Sequence, residues 1–282
     1  MPYTTSNGAR IYWEERGQGE PVLFIMGIGF SLDMWERTVQ WLEPHYRCIL
    51  FDNRGAGRSD APWRPYSIRQ MARDAAAVMD AAGVSSAHVL GASMGGMIAQ
   101  ELVLNEPERV RSLVLGCTNM GWLWSALPRW RVFRGAAKAL GKPPREAMRI
   151  IDTYLYHPDT PAHLRDEDLE IRMRWLPSRI GYLNQLLAIL TWWGTRWRLH
   201  RIRTPIIVIH GEDDPLIPVE NARSLVQRIP GASLGIVPHC CHVMPADAPE
   251  RTRELILGFL REQPVTEHQS NRDHSQSNPD HP

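Results

Sequence analysis

Residues 87–102 read AHVLGASMGGMIAQEL, and this stretch decides the fold. It begins with a short apolar run typical of a strand that is buried on both faces, and it ends in an apolar helical pattern. Between them, GASMG at 91–95 has the spacing G-x-S-x-G. Small residues beside the serine allow a sharp turn that projects its hydroxyl above the sheet, at the N-terminus of the helix. We therefore identify Ser93 as a candidate nucleophile.

Four other apolar runs have the same character, and helical patterns alternate with them along the chain. Strands that are apolar on both faces and alternate with helices predict an α/β fold: a mostly parallel, twisted sheet flanked by helices. The four runs are VLFIMG (22–27), YRCILFD (46–52), RSLVLGC (111–117) and PIIVIHG (205–211).

The alternation stops between residues 119 and 203, where only helical patterns occur. We interpret this segment as a helical cap inserted into a core formed by residues 1–118 and 204–263. Packing of helix on helix explains most of its tryptophans, and an apolar substrate pocket is the other explanation. Residues 264–282 are polar and aperiodic, so we expect a disordered tail. The tryptophans of the segment are Trp122, Trp124, Trp130, Trp175, Trp192, Trp193 and Trp197.

The bulk composition excludes several classes of protein. Lys and Arg number 32 against 31 for Asp and Glu, a formal net charge of +1, which offers no excess positive charge to a nucleic acid. The apolar runs fall short of the roughly 20 residues of a membrane span, and the first residues lack a secretion signal. The four cysteines have no disulfide-framework spacing. We expect a cytoplasmic protein, monomeric or homodimeric, with neither a nucleic-acid partner nor a membrane span.

The run His239-Cys240-Cys241-His242 places four potential metal ligands in a row. Successive side chains of an extended segment point to opposite sides, so four consecutive ligands do not surround one tetrahedral ion. Zinc sites space their ligands instead, in patterns such as C-x2-C with H-x3-H, and the sequence has no second cluster of that kind. We therefore predict no metal site.

The chain resembles the α/β-hydrolase family over residues 10–262, and within it the serine esterase, enol-lactonase and cofactor-free perhydrolase relatives. The resemblance implies an α/β-hydrolase sheet with a helical cap inserted after the sixth strand, and a catalytic triad in the chain order serine, acid, histidine. It implies no metal and no organic cofactor. The segments that carry it are FDNRGAGRSD (51–60), GASMGGMIAQELVLNEPERVRSLVL (91–115) and RIRTPIIVIHGEDDPLIP (201–218).

The same resemblance implies the other two members of the triad. The family spacing G-x-x-D-x-x-[VI]-P, counted from Gly211 to Pro218, selects Asp214 as the acid, with Asp213 as the alternative. The histidine is His242, which follows the last strand, precedes an apolar residue and is followed by a Pro-Glu pair. His239 stands where the family commonly has glycine, which tolerates backbone conformations that histidine does not.

The implied oxyanion hole consists of the backbone NH groups of Ile28 and Met94. The family often has His-Gly in the first of these two loops, where this chain has Met26-Gly27. We also expect six residues to line the substrate pocket, namely Gly27, Trp122, Trp124, Trp192, Trp193 and Val243.

These residues together predict a serine hydrolase that cleaves a carboxylic ester or lactone of a small apolar or aromatic substrate through an acyl-enzyme. The same triad also supports hydrolysis of C–C bonds, cleavage of amides, and perhydrolysis. A non-catalytic small-molecule receptor with this fold is an alternative of a different class. From the two thiols beside His242, we further expect bulky thiol reagents to slow turnover.

Overall fold

The computed structural model of the 282-residue chain describes residues 3–263, so the expected disordered tail lies outside the described residues. Within that range, eight strands form one sheet in the order β1-β2-β4-β3-β5-β6-β7-β8. Every pairing from β4 through β8 is parallel, whereas β2 pairs antiparallel with both β1 and β4. The strands are β1 Tyr3–Ser6, β2 Ala9–Arg16, β3 Glu20–Ile25, β4 Tyr46–Phe51, β5 Ala87–Ala92, β6 Val110–Gly116, β7 Ile206–Gly211 and β8 Ser233–Val237.

Helices connect the parallel strands and cover both faces of the sheet. Four of them lie between β6 and β7, which confirms the predicted fold class with helices inserted after the sixth strand. The helices are α1 Glu36–Leu42, α2 Ile68–Ala81, α3 Met94–Asn105, α4 Trp130–Ala139, α5 Pro144–Leu155, α6 Ala162–Arg174, α7 Arg179–Leu190, α8 Glu220–Val226, α9 Met244–Asp247 and α10 Pro249–Arg261.

Strand β3 shows how one short apolar run supplies two hydrophobic layers. Its side chains alternate between faces, as the two-residue period of a strand requires. Leu23 and Ile25 join the cluster that contains residues of α2 and α3, whereas Val22 and Phe24 join the cluster that contains residues of α1 and α10. All four are fully buried. A strand apolar on both faces is therefore the signature of a central position in this sheet.

The N-terminal hairpin of β1 and β2 was not among the predicted strands. Asn7 and Gly8 connect the two strands with φ values of 45° and 74°. Asn-Gly is the preferred pair for such a two-residue hairpin turn, because both positions need a positive φ. The signal was present in the sequence, but β1 is half-exposed and lacks the apolar run used to find the other strands.

Residues 119–203, which we name the insertion, contain α4 to α7. The sequence analysis assigned only helical patterns to this segment, and α7 ends at Leu190, before the tryptophans that follow. Across residues 3–263, no helix combines the length and the apolar character that crossing a membrane requires.

Candidate active site

Ser93 occupies a strained turn between β5 and α3. Its φ of 56° and ψ of −121° lie outside the regions that most residues adopt. A Cβ atom added at Gly91 would lie 2.5 Å from the carbonyl oxygen of Gly95, and one added at Gly95 would collide with the carbonyl oxygen of Ile25. Both glycines of the motif are therefore required by the close approach of backbone segments.

Asp214 and His242 form a hydrogen-bonded pair. The bond joins His242 Nδ1 to Asp214 Oδ2 at 2.7 Å, and the Asp214 side chain is fully buried. Its other oxygen accepts the NH groups of Leu216 and Ile217 at 2.8 and 3.0 Å. Burial alone would raise the pKa of Asp214, but the charge and hydrogen bond of His242 outweigh it and hold that pKa below its ordinary value. An ionised Asp214 therefore orients the imidazole.

Two consecutive residues, Gly116 and Cys117, lie beside Ser93 and beside this pair, respectively. The Ser93 NH donates to the carbonyl oxygen of Gly116, the last residue of β6, at 2.8 Å. The Sγ atom of Cys117, the next residue, lies within 4.8 Å of side-chain atoms of Asp214 and His242. Burial raises the pKa of this thiol well above its ordinary value, so it stays neutral. The structure thus gathers the three residues around the C-terminal ends of β5 to β7, where such sheets bind ligands.

Asp213, the alternative acid, has a different neighbour. Its carboxylate lies 3.8 Å from Nε2 of His157, and its side chain is 49% exposed. Of the two carboxylates, Asp214 is the one that accepts the hydrogen bond from His242. The geometry therefore favours Asp214 as the partner of the imidazole.

The loop after β3 lies directly against Ser93. A Cβ atom added at Gly27 would be 3.2 Å from Cβ and 3.7 Å from Oγ of Ser93, so the loop passes the serine closely. In the loops and turns of residues 3–263, the NH groups of Ile28 and Met94 donate to no backbone carbonyl. Ile28 follows Gly27 and Met94 follows Ser93, so each NH group is one residue away from the contact between this loop and the serine.

Two amide side chains hold this loop, and the sequence analysis identified neither of them. Asn53 donates to the carbonyl oxygen of Met26 at 2.7 Å. Gln185, fully buried on α7, accepts the NH of Gly29 at 2.7 Å and donates to the carbonyl oxygen of Arg54 at 2.8 Å. Gln185 is a polar residue in an apolar helix, which was the one signal available for it. The insertion thus helps to set the conformation of the loop beside Ser93.

The insertion also holds the His242 loop. The carbonyl oxygen of Leu155, at the end of α5, accepts the NH groups of His242 and Val243 at 2.9 and 3.2 Å. Val243 packs against a hydrophobic cluster that contains Leu155. The backbone of the loop that carries His242 is therefore fixed by a residue about ninety positions earlier in the chain, a contact that no local pattern predicts.

Asp247, at the end of α9, adds a side-chain link between the same two regions. One carboxylate oxygen accepts the NH of His157 at 3.1 Å and the NH of Cys241 at 2.7 Å. The other accepts the hydroxyl of Thr160 at 2.5 Å. Burial raises the pKa of Asp247, although these hydrogen bonds oppose that rise. Asp247 therefore joins the α5–α6 connection to the residue next to His242.

The four tryptophans expected in the pocket make other contacts. Trp192 is buried among core residues, and its indole NH donates to the buried carboxylate of Glu101 at 2.8 Å. Trp193 is 79% exposed. Trp122 and Trp124 donate their indole NH groups to backbone carbonyls of residues 190 and 193, at 2.8 and 3.2 Å. The bond from Trp192 supplies an acceptor to a buried indole NH and a donor to a buried carboxylate. Trp192 therefore has a packing role, whereas Trp193 lies on the surface.

The His-Cys-Cys-His run is divided between the interior and the surface. Cys240 and Cys241 are buried and free, whereas His239 is exposed with a φ of 50°. This left-handed conformation is the one that glycine adopts readily, and His239 adopts it at a position where the family commonly has glycine. The ring of His239 lies edge-on to the ring of His157, with 6.0 Å between centroids.

Comparisons with known proteins agree with this architecture. A family model described as alpha/beta hydrolase fold matches residues 20–249. A protein of Azorhizobium caulinodans, RutD, whose name provisionally assigns it carbamate hydrolysis, is 35% identical over 93% of this chain and 99% of its own length. A poly(3-hydroxyalkanoate) depolymerase of Ectopseudomonas oleovorans is 32% identical over 86% of this chain and 85% of its own. The crystal structure of a hydrolase from Pseudomonas aeruginosa PA01 matches with a TM-score of 0.79 and 26% identity, covering 92% of this chain and 97% of the other.

Proposed function

Because the chain belongs to the alpha/beta hydrolase fold family, we propose that it is a serine hydrolase that cleaves a carboxylic ester or lactone of a small apolar or aromatic substrate through an acyl-enzyme. One observation carries the proposal. Ser93 stands in a strained turn at the edge of the sheet where Asp214 Oδ2 holds His242 Nδ1 at 2.7 Å. A serine nucleophile, a histidine base and a buried carboxylate that orients the histidine form a catalytic triad for acyl transfer.

The roles follow from proton chemistry. With Nδ1–H donated to Asp214, the Nε2 atom of His242 is left as the base that accepts the proton of Ser93. The serine oxygen attacks the substrate carbonyl, and the NH groups of Ile28 and Met94 receive the oxyanion. Collapse of this intermediate expels the alcohol, which takes the proton from His242. Water, deprotonated by the same imidazole, then releases the acid.

The preference for an apolar substrate has support from residues other than the tryptophans. A hydrophobic cluster joins Phe30, Leu216 and Val243 to Val132 and Leu155 of the insertion. Leu216 follows Asp214 by two positions, Val243 follows His242 directly, and Phe30 belongs to the loop that passes Ser93. An apolar wall next to all three loops favours an apolar acyl or alcohol group.

Carbamate hydrolysis is a second candidate, and the 35% identity with RutD favours it. A carbamate presents the same electrophilic carbonyl to a serine nucleophile, so the proposed residues would keep their roles. The 32% identity with a depolymerase of a polyester favours ester cleavage instead. The two candidates therefore differ in the groups attached to the carbonyl and not in the proposed catalytic residues.

A matched substrate panel tests the proposal. We expect an aryl ester to be hydrolysed with a higher kcat/KM than the aryl carbamate of the same leaving group, and an apolar lactone to be opened. Acid quenching during turnover should reveal the chain with one added acyl mass. Ser93→Ala should lose at least about 1,000-fold in kcat. Full activity in Ser93→Ala would overturn the proposal, and a faster carbamate would transfer it to the second candidate. Saturable binding of the esters without turnover would instead support a receptor.

A further inference from the structure

Three potential metal ligands from three separate loops meet beside the candidate active site. His157 comes from the α5–α6 connection, Asp213 from the loop after β7, and His239 from the loop after β8. One ligand atom from each lies within 4.8 Å of the other two. None of the three has a role in the proposed acyl transfer.

We propose that His157, Asp213 and His239 bind a Zn²⁺ ion. Two imidazoles and one carboxylate form a ligand set that zinc prefers, with the fourth tetrahedral position open to water. This site uses only His239 from the His-Cys-Cys-His run, so the argument that four consecutive residues do not enclose one ion still holds. The proposal replaces the prediction of no metal site, because the other two ligands come from distant parts of the chain.

The ligand atoms lie near the separations that a zinc ion requires. Zinc–nitrogen distances of about 2.0 to 2.1 Å place tetrahedral ligand atoms roughly 3.3 Å apart. The carboxylate of Asp213 is 3.8 Å from Nε2 of His157, so this pair is already close to that separation. Asp213 and His239 are exposed, and rotation of their side chains can close the remaining gap.

The surroundings of His157 suit a metal ligand. A histidine that binds zinc through Nε2 carries its proton on Nδ1 and donates it to an outer acceptor, often a carboxylate. The Asp159 carboxylate lies 3.5 Å from Nδ1 of His157. Without the ion, the same nitrogen accepts the NH of Asp159 at 3.3 Å, so binding requires a change of tautomer. Asp247 adds a third carboxylate, bonded to the His157 backbone NH. The local field therefore favours a cation.

Zinc at this position would tie the insertion to two loops of the candidate active site. Asp213 directly precedes Asp214, and His239 lies three residues before His242. The ion takes no part in the proposed acyl transfer. Its expected effect is to stabilise the connection between the insertion and the core, because any ligand that binds only the folded state raises Tm.

Calorimetric titration of the metal-stripped full chain with ZnCl₂ tests the proposal. We expect one site, with affinity at least about tenfold lower in His157→Ala and in His239→Ala. His163→Ala, which removes an exposed histidine of the same insertion, should bind as the wild type does. His242→Ala should also keep the site, which distinguishes it from zinc captured by Cys117, Asp214 and His242.

A second measurement keeps the proposal testable if His157→Ala is poorly folded. Zinc should raise Tm of the wild type and of His163→Ala but not that of His239→Ala, which removes an exposed side chain. The absence of zinc binding by the wild type would overturn the proposal. Wild-type affinity in both His157→Ala and His239→Ala would do the same, because the ion would then be bound elsewhere in the chain.

Discussion

The residue types around Ser93 are restricted by the space available for a side chain. Each glycine of the motif lies where a Cβ atom would meet backbone, and Gly27 faces the serine from the neighbouring loop. This explains why a sequence pattern alone identified the position of Ser93: the pattern records local steric requirements of one turn. Asp214 and His242 were instead implied by the resemblance to the α/β-hydrolase family, and the structure joins them by a hydrogen bond.

Gly27→Ala is predicted to lower activity without unfolding the protein. The new Cβ would be 3.2 Å from Cβ and 3.7 Å from Oγ of Ser93, so the serine or the loop must shift by a few tenths of an ångström. We expect a loss of about 10- to 100-fold in kcat/KM, since catalysis depends on such positions. Gly258→Ala, with nothing within 4 Å of its new Cβ, is the matched control and should remain fully active.

The buried thiols at 240 and 241 are predicted to resist labelling in the native protein. Burial raises the pKa of Cys241 to about 12 and that of Cys240 further, so little thiolate forms near neutral pH. The expectation that thiol reagents slow turnover therefore needs correction, because the two sulfurs are inaccessible. Titration with a chromogenic disulfide should detect all four cysteines only after denaturation. Rapid loss of activity with native labelling would restore the earlier expectation.

At the scale of elements, the loop after β8 is positioned by the insertion. The carbonyl of Leu155 bonds to this loop, and Asp247 bonds both to Cys241 in the loop and to His157, so each of them joins segments about ninety residues apart. Sequence patterns identify elements and turns, but they do not record which distant carbonyl or carboxylate meets a given NH. That is why these positioning residues were missed, as was Gln185.

Asp247→Asn is predicted to reduce both stability and activity. The carboxylate accepts three hydrogen bonds as a charged acceptor, whereas the neutral amide has one oxygen for the two backbone NH groups and reverses the direction of the bond with the Thr160 hydroxyl. We expect a loss of about 1 to 3 kcal/mol in the free energy of unfolding. In the folded variant, kcat should fall more than KM rises, because the loop positions His242. Glu250→Gln, at an exposed carboxylate, should leave both quantities unchanged. Equal behaviour of the two variants would contradict this role.

His88 on β5 is predicted to make stability depend on pH. It is 2% exposed and its Nδ1 bonds to Ser112 at 2.8 Å. Burial, and secondarily the charge of Arg111, lowers its pKa from 6.5 to about 4. The unfolded chain therefore binds the proton first, so stability present above pH 6.5 should be lost as pH falls towards 4.

Denaturant unfolding across that range checks the prediction. The wild type should lose about 1 to 3 kcal/mol more than His88→Gln between pH 6.5 and pH 4. Parallel pH curves for the two proteins would show that His88 does not titrate in this way. Glu20 lies 3.9 Å from His88 Nε2, but it is paired with Arg111.

At the scale of the whole molecule, one sheet with two apolar faces supports a helical insertion that contacts the candidate active site. Leu155 and Gln185 of the insertion bond to its loops, and His157 and Thr160 bond to Asp247 of the core. The parallel sheet and the place of the insertion could be predicted, because runs that are apolar on both faces are strong signals. The roles of Trp192 and Trp193 could not, since a tryptophan packs equally well against a core, a surface or a pocket.

The central claim is that His242, held by Asp214, activates Ser93. Intact mass after incubation with a fluorophosphonate probe tests it most directly, with the wild type beside Ser93→Ala and His242→Ala. The account predicts one probe adduct on the wild type, none on Ser93→Ala, and strongly slowed labelling of His242→Ala. An unlabelled but folded wild type, or an adduct that persists in Ser93→Ala, would contradict it.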